Sequence, residues 1–219
     1  MVDQTLLAWA PIAGVLSVAA YFVDYVLTQR TAKAYLSIRH IYAVDGPSDT
    51  QPAWVAASES SRIPDRVVFN AVVLLGLMGV LWLFAHAIEL NPRLPSGLAA
   101  TFFGTSSGVI LLVQAAALMS HFGNLVQFRA LRHPGAATGQ IVMSTWLGLR
   151  VASIRYVSWA VLWLVLAVIS QQGFFVGGSV GSLIVAMRSR NRAASTRMAL
   201  ASQGSASASP ASDQAAQQR

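Results

Sequence analysis

The fold this sequence predicts is an all-α integral membrane bundle. Three observations predict it: long apolar runs, little charge, and basic residues confined to the segments between the runs. Of 219 residues, 55% are hydrophobic and 11% charged, with a mean hydropathy of +0.55. Soluble domains carry roughly a quarter charged residues. The apolar runs repeat at about 20 residues, the length a helix needs to cross a hydrocarbon core of about 30 Å.

The first run, residues 5–28, has Asp3 but no Lys or Arg before it. It lacks the basic region of a cleaved signal peptide and reads as a retained helix. Residues 29–44 predict an interfacial amphipathic helix lying along the membrane surface. There Arg30, Lys33, Ser37 and His40 share one face, and Tyr35, Ile38 and Tyr42 another. Residues 45–65 are polar and turn-rich, and read as a loop.

The second and third runs, 67–90 and 98–122, are joined by the short link NPRLPSG and predict an antiparallel hairpin. A polar stretch follows over 123–150. The last apolar region, 156–187, would be about 48 Å long as one helix, too long for one crossing. Ser170-Gln171-Gln172-Gly173 divides it, predicting helices over 151–170 and 173–188, the second either spanning or re-entrant. From 193 to 219 the chain is mostly Ala, Ser and Gln, a composition that predicts a disordered tail after one transmembrane domain of residues 1–192.

Charge sets the expected topology. Arg and Lys gather in 29–66, in 123–155 and after 188, while the connections at the other end carry only Arg93. Five crossings, with the N-terminus outside and the C-terminus inside, place all three basic segments in the cytoplasm. The net charge of +7 does not point to nucleic acid, because no aromatic residues interleave with the arginines in a polar segment. The absence of Cys excludes disulfides, thiol catalysis and thiolate metal sites. Lys33 is the only lysine, and with so much Ala the composition points to a bacterial cytoplasmic (inner) membrane.

No phosphate loop, dinucleotide fingerprint, zinc helix or nucleophile elbow is present. His86 and Glu89 sit one turn apart without an evident third ligand, so no metal and no cofactor is expected. They read as the polar end of the second helix, with Glu89 near Arg93. In the third helix Ser107, Gln114 and His121 recur every seven residues, each turned only about 20° from the last. Asn124 follows near the cytoplasmic end. The first helix has a matching stripe of Ser17, Tyr21, Asp24 and Thr28. An intramembrane carboxylate is costly and needs a partner; at the same expected depth lie His121, Asn124, Arg150 and Arg155. Two readings stay open: a staple of interhelical hydrogen bonds, or a hydrated path in which Asp24 and His121 relay protons or hold a cation. Gly173, Gly177 and Gly181 form a glycine ridge on the fifth helix, and Gly104 and Gly108 another on the third. Both predict close helix packing, with the partner unspecified.

These residues lead to the expectation of a small membrane protein that moves or gates a small solute or ion, alone or as a homo-oligomer. The alternative is a non-catalytic scaffold or accessory subunit whose basic face binds lipid or a membrane-protein partner. An enzyme is disfavoured because no paired carboxylates or metal ligands appear. The expected surroundings are the lipid bilayer, with no nucleic acid.

Overall fold

The computed structural model describes residues 2–45, 52–59, 64–133, 135–136 and 139–207. Helices make up most of it: α1 (Val2–Ala8), α2 (Ala10–Ile38), α3 (Ala53–Glu59), α4 (Pro64–Glu89), α5 (Leu98–Ala130), α6 (Thr145–Ser170) and α7 (Gly173–Ser207). Two short strands, β1 (Tyr42–Asp45) and β2 (Ile141–Ser144), complete the described elements. Four helices, α2, α4 from Val67, α5 and α6, are long and apolar enough to cross a membrane. Their outer faces leave large apolar side chains such as Phe69, Val72, Val168 and Ile169 more than 60% exposed. Water disfavours a continuous greasy surface of this kind, whereas lipid accepts it. The chain is a multi-pass, all-α membrane bundle. In it α4 lies against α2 and α5, and α7 lies between α5 and α6.

The helices differ from their expected bounds for local reasons. The first helix breaks at Trp9, whose φ of −110° and ψ of 27° leave helical geometry just before Pro11. Proline has no N–H and its ring crowds the carbonyl four residues back, so the helix restarts there. Beyond Leu27, α2 continues straight to Ile38 and no separate interfacial helix follows it. The supposed surface face is instead an interior: Tyr35 and Ile38 pack with Leu125 and Phe128 of an α5 that runs eight residues past its expected end at 122.

Both helix extensions enter a second core, beyond the apolar runs. Tyr42 of β1 and Val55 of α3 join Tyr35, Ile38 and Phe128 there, with ring centroids 5.4–6.5 Å apart among Tyr35, Tyr42 and Phe128. The strands pair in parallel, Tyr42 opposite Ile141 and Asp45 opposite Ser144. Thr145 Oγ1 donates to the Asp45 carbonyl at 2.8 Å, tying the start of α6 to the end of β1. Neither strand nor α3 is expected from segments that read as a surface helix, a loop and a polar stretch. Residues 46–51 and 60–63 of that loop lie outside the described residues.

At the other end, Gln171 adopts a left-handed φ of 53° and its N–H closes α6 on the Ala167 carbonyl at 2.7 Å. A two-residue turn then starts α7, which returns antiparallel along α6: Ser153 Oγ donates to the Ala186 carbonyl at 2.9 Å. Helix α7 does not stop at 188. It continues to Ser207, so the expected disorder from 193 is corrected as far as that residue. Ala193 and Thr196 are buried, and Arg197 sits 5.7 Å over the Trp146 ring. Ala, Arg and Met are good helix formers, and α6 supplies the face they need. Residues 208–219 of the tail lie outside the described residues.

Candidate functional site

The two polar stripes meet. Ser17 Oγ donates to Gln114 Oε1 at 3.1 Å, and His121 Nδ1 stands 2.7 Å from Asp24 Oδ1. Both pairs are separated by 97 residues, so α2 and α5 run parallel with a constant offset. A seven-residue step advances both helices by about two turns and returns nearly the same face, which is why one register satisfies both pairs. Farther along, Thr28 Oγ1 lies 3.2 Å from the same His121 nitrogen, and Thr31 Oγ1 donates to the His121 carbonyl at 3.3 Å. Ser17 and Thr31 are fully buried, whereas His121 and Asp24 keep 19% and 26% of their side-chain surface accessible.

The geometry gives the imidazole a defined role. With Nδ1–H donated to the Asp24 carboxylate, the Thr28 oxygen takes a weaker share of the same hydrogen. Next to His121 on α5, Ser120 Oγ accepts a 2.6 Å hydrogen bond from the Arg155 guanidinium of α6. The Tyr156 hydroxyl is within electrostatic reach of Asp24 and Arg155. An acid, a base, a cation and a phenol from three helices thus gather at one level of the bundle.

The other stripe residues are distributed differently. Ser107 is buried but bonds only its own helix, donating to the Gly104 carbonyl at 3.0 Å. Asn124 is half-buried and not joined to the Asp24–His121 pair. Tyr21 turns to α4, its hydroxyl accepting from Asn70 Nδ2 at 3.1 Å. Glu89 meets His86 at 3.8 Å instead of Arg93, because α4 ends at Glu89 and helical spacing is lost beyond it. Among the described residues no cluster of three metal-ligating side chains forms.

The glycines mark the α5–α7 contact. A methyl group at Gly177 would overlap the Thr105 carbonyl, one at Gly108 the Phe174 carbonyl, and one at Gly181 the Val109 and Val113 side chains. The ridge of α7 is therefore used against α5 of the same chain. Gly104 and Gly173 have a further neighbour that no sequence motif marks, the Asp3 carboxylate. It is 7% exposed and accepts from the N–H groups of Gly173 (2.8 Å) and Phe174 (3.0 Å), while Asp3 N–H donates to Gln172 Oε1 at 3.3 Å. A helix N-terminus in a low-dielectric setting leaves N–H groups that need such an acceptor. No local signal links residues 170 positions apart; only the requirement that a buried carboxylate find donors hints at it.

A cavity of about 590 Å³ opens at the Glu89–Gly97 end, and one of about 760 Å³ lies between α6 and α7. Neither includes Gln114 or Asp24 among its lining residues. Comparison with protein-family models, with curated proteins and with solved structures finds no match to this chain.

Proposed function

We propose that this chain is a five-crossing protein of a bacterial inner membrane, N-terminus outside and C-terminus inside, that moves or gates protons or a small cation through the Asp24–His121 pair. The observation that carries the reading is the 2.7 Å contact between an acid and a base within two apolar helices. Ionisable groups at membrane depth cost several kcal/mol unless paired, and they mark proton and ion pathways. Arg155, Ser120 and Tyr156 extend the polar level to α6. The fifth crossing draws support from the α6–α7 turn: residues 156–170 and 173–187 are uncharged on either side of it and run antiparallel, each about 22 Å long. The distribution of Arg and Lys supports the orientation.

Reconstituted vesicles with an internal pH dye and an imposed potential test the function. Wild type is expected to carry proton flux above protein-free vesicles. Asp24→Asn, which keeps a hydrogen bond to the imidazole but removes the carboxylate, is expected to lower it at least tenfold, and Ser17→Ala to leave it unchanged. Wild-type flux in Asp24→Asn vesicles sinks the reading.

One observation favours the scaffold reading as the second: Ser17 bonds Gln114, Thr28 and Thr31 bond His121, and neither cavity reaches these residues. Under that reading wild type carries no flux, and Asp24→Ala lowers thermal stability alone. The lipid bilayer is the surrounding partner in both. A homo-oligomer would form through faces other than the glycine ridge, which α5 occupies.

A further inference from the structure

The cavity of about 760 Å³ between α6 and α7 is a groove with a charged end and an apolar end. Trp146, Arg150, Ile154 and Val157 line it from α6, and Arg190 and Arg197 from α7. These positions recur at three-, four- and seven-residue steps, so each helix gives one continuous face, and the alanines between the α7 arginines keep the floor low. Among the described residues no Asp or Glu lines the groove, and none of the three arginines forms an ion pair. Guanidinium groups that share one groove repel one another unless an anion lies among them, and their planar forks suit phosphate oxygens.

Depth identifies the phosphate's carrier. Measured along the helices from the Gln171–Gln172 turn, Arg190, Arg150 and Arg197 stand about 26, 30 and 36 Å away, and Ile154 and Val157 about 24 and 20 Å. A hydrocarbon core is about 30 Å thick, so the arginines fall at the phosphate level of the leaflet opposite the turn. The apolar end descends into the acyl region, and Trp146 occupies the interfacial position that indoles favour.

We infer that this groove binds an anionic phospholipid, its headgroup phosphate held by Arg150, Arg190 and Arg197 and one acyl chain lying along Ile154 and Val157. The site depends on membrane insertion and not on proton movement at Asp24–His121, so either can fail alone.

Native mass spectrometry of the full chain in detergent, with phosphatidylglycerol or phosphatidylcholine added at equal concentration, tests it. The wild type is expected to retain phosphatidylglycerol at least tenfold better. R150Q/R190Q/R197Q is expected to reduce that preference to within about twofold, while R93Q/R188Q/R192Q, which removes the same charge away from the groove, keeps it. Ile154→Trp, which fills the apolar end and leaves the arginines, is expected to lower phosphatidylglycerol retention at least threefold. Should the triple groove variant fail to assemble, Arg150→Lys keeps the charge, loses the fork, and is expected to lower the preference at least threefold. Equal retention of both lipids by the wild type overturns the proposal. So does an undiminished preference in the groove variants, or displacement of the lipid by an equal concentration of inorganic phosphate.

Discussion

The Asp3 carboxylate accepts the Gly173 N–H at 2.8 Å and so joins the first helix of the chain to the start of the last. Its second oxygen takes the Phe174 N–H at 3.0 Å. One side chain thereby satisfies two of the donors that α7 leaves unpaired at its N-terminus, and its charge opposes the positive end of the helix dipole. Gly104 and Gly173 make the space: a methyl group at Gly104 would overlap the carboxyl.

Asp3→Ala is expected to destabilise the bundle by about 1–2 kcal/mol, the range for losing a helix cap, read as a lower thermal midpoint in detergent. Asp3→Asn keeps an acceptor oxygen and is expected to retain at least half of that stability. Equal losses from both variants would show that charge, and not the hydrogen bonds, holds the α7 N-terminus.

The glycine ridge makes a contrast within one residue type. Gly177→Ala inserts a methyl group against the Thr105 backbone, which cannot rotate away, and is expected to cost about 1–3 kcal/mol. Gly79 of α4 has nothing within 4 Å of the same methyl position. There Gly79→Ala is expected to be neutral or to stabilise by about 0.5–1 kcal/mol through helix propensity. Thermal melts of the two variants side by side check the packing.

The core beyond the apolar runs should respond to alkaline pH. Burial, and after it the neighbouring Tyr35 phenol, push the Tyr42 hydroxyl above its ordinary value of 10.0. A raised folded pKa favours the neutral phenol, so its contribution is complete below pH 10 and is lost as pH rises through the folded value. Stability of the wild type is therefore expected to fall more steeply above pH 10 than that of Tyr42→Phe. Below pH 10 the variant loses only the hydroxyl's 3.3 Å contact with Met143 Sδ, about 1 kcal/mol or less. Melts across pH 8–11, with phenolate absorbance as the titration readout, distinguish the two.

Orientation is open to cysteine labelling, because the natural chain has no Cys to remove. Ser195→Cys lies on an exposed position of α7 beyond Arg188. An impermeant thiol reagent is expected to miss it in intact cells and to label it after lysis. Labelling in intact cells contradicts five crossings with the C-terminus inside.

How far the molecule could be read from its residues differs from part to part. The apolar runs themselves settled that the chain forms helices long and apolar enough to cross a membrane, because the length and hydropathy of one segment suffice for that. The tight joint between α6 and α7 was equally local, marked by Ser170-Gln171-Gln172-Gly173. The heptad spacing of Ser17 and Asp24, and of Ser107, Gln114 and His121, established that each helix has a polar stripe. It left undecided which stripe faces which. That followed from the parallel register of α2 and α5, which a stripe on one helix alone does not specify.

Helix ends were legible only where apolarity ended with them. For α2 and α5 it did not: Tyr35, Ile38, Leu125 and Phe128 extend the helices past the apolar runs because they bury one another, a gain absent from either segment alone. The two strands, the partner of the glycine ridge and the Asp3 cap share that origin. Each joins residues about 70 to 170 positions apart. Hydropathy, periodicity and turn chemistry act over a few residues, so they determined the spans, the polar faces and the α6–α7 turn. Packing and hydrogen-bond satisfaction act across the whole chain, and only the tertiary structure decided that Asp24 meets His121, that α7 seats on α5, and that three arginines line one groove.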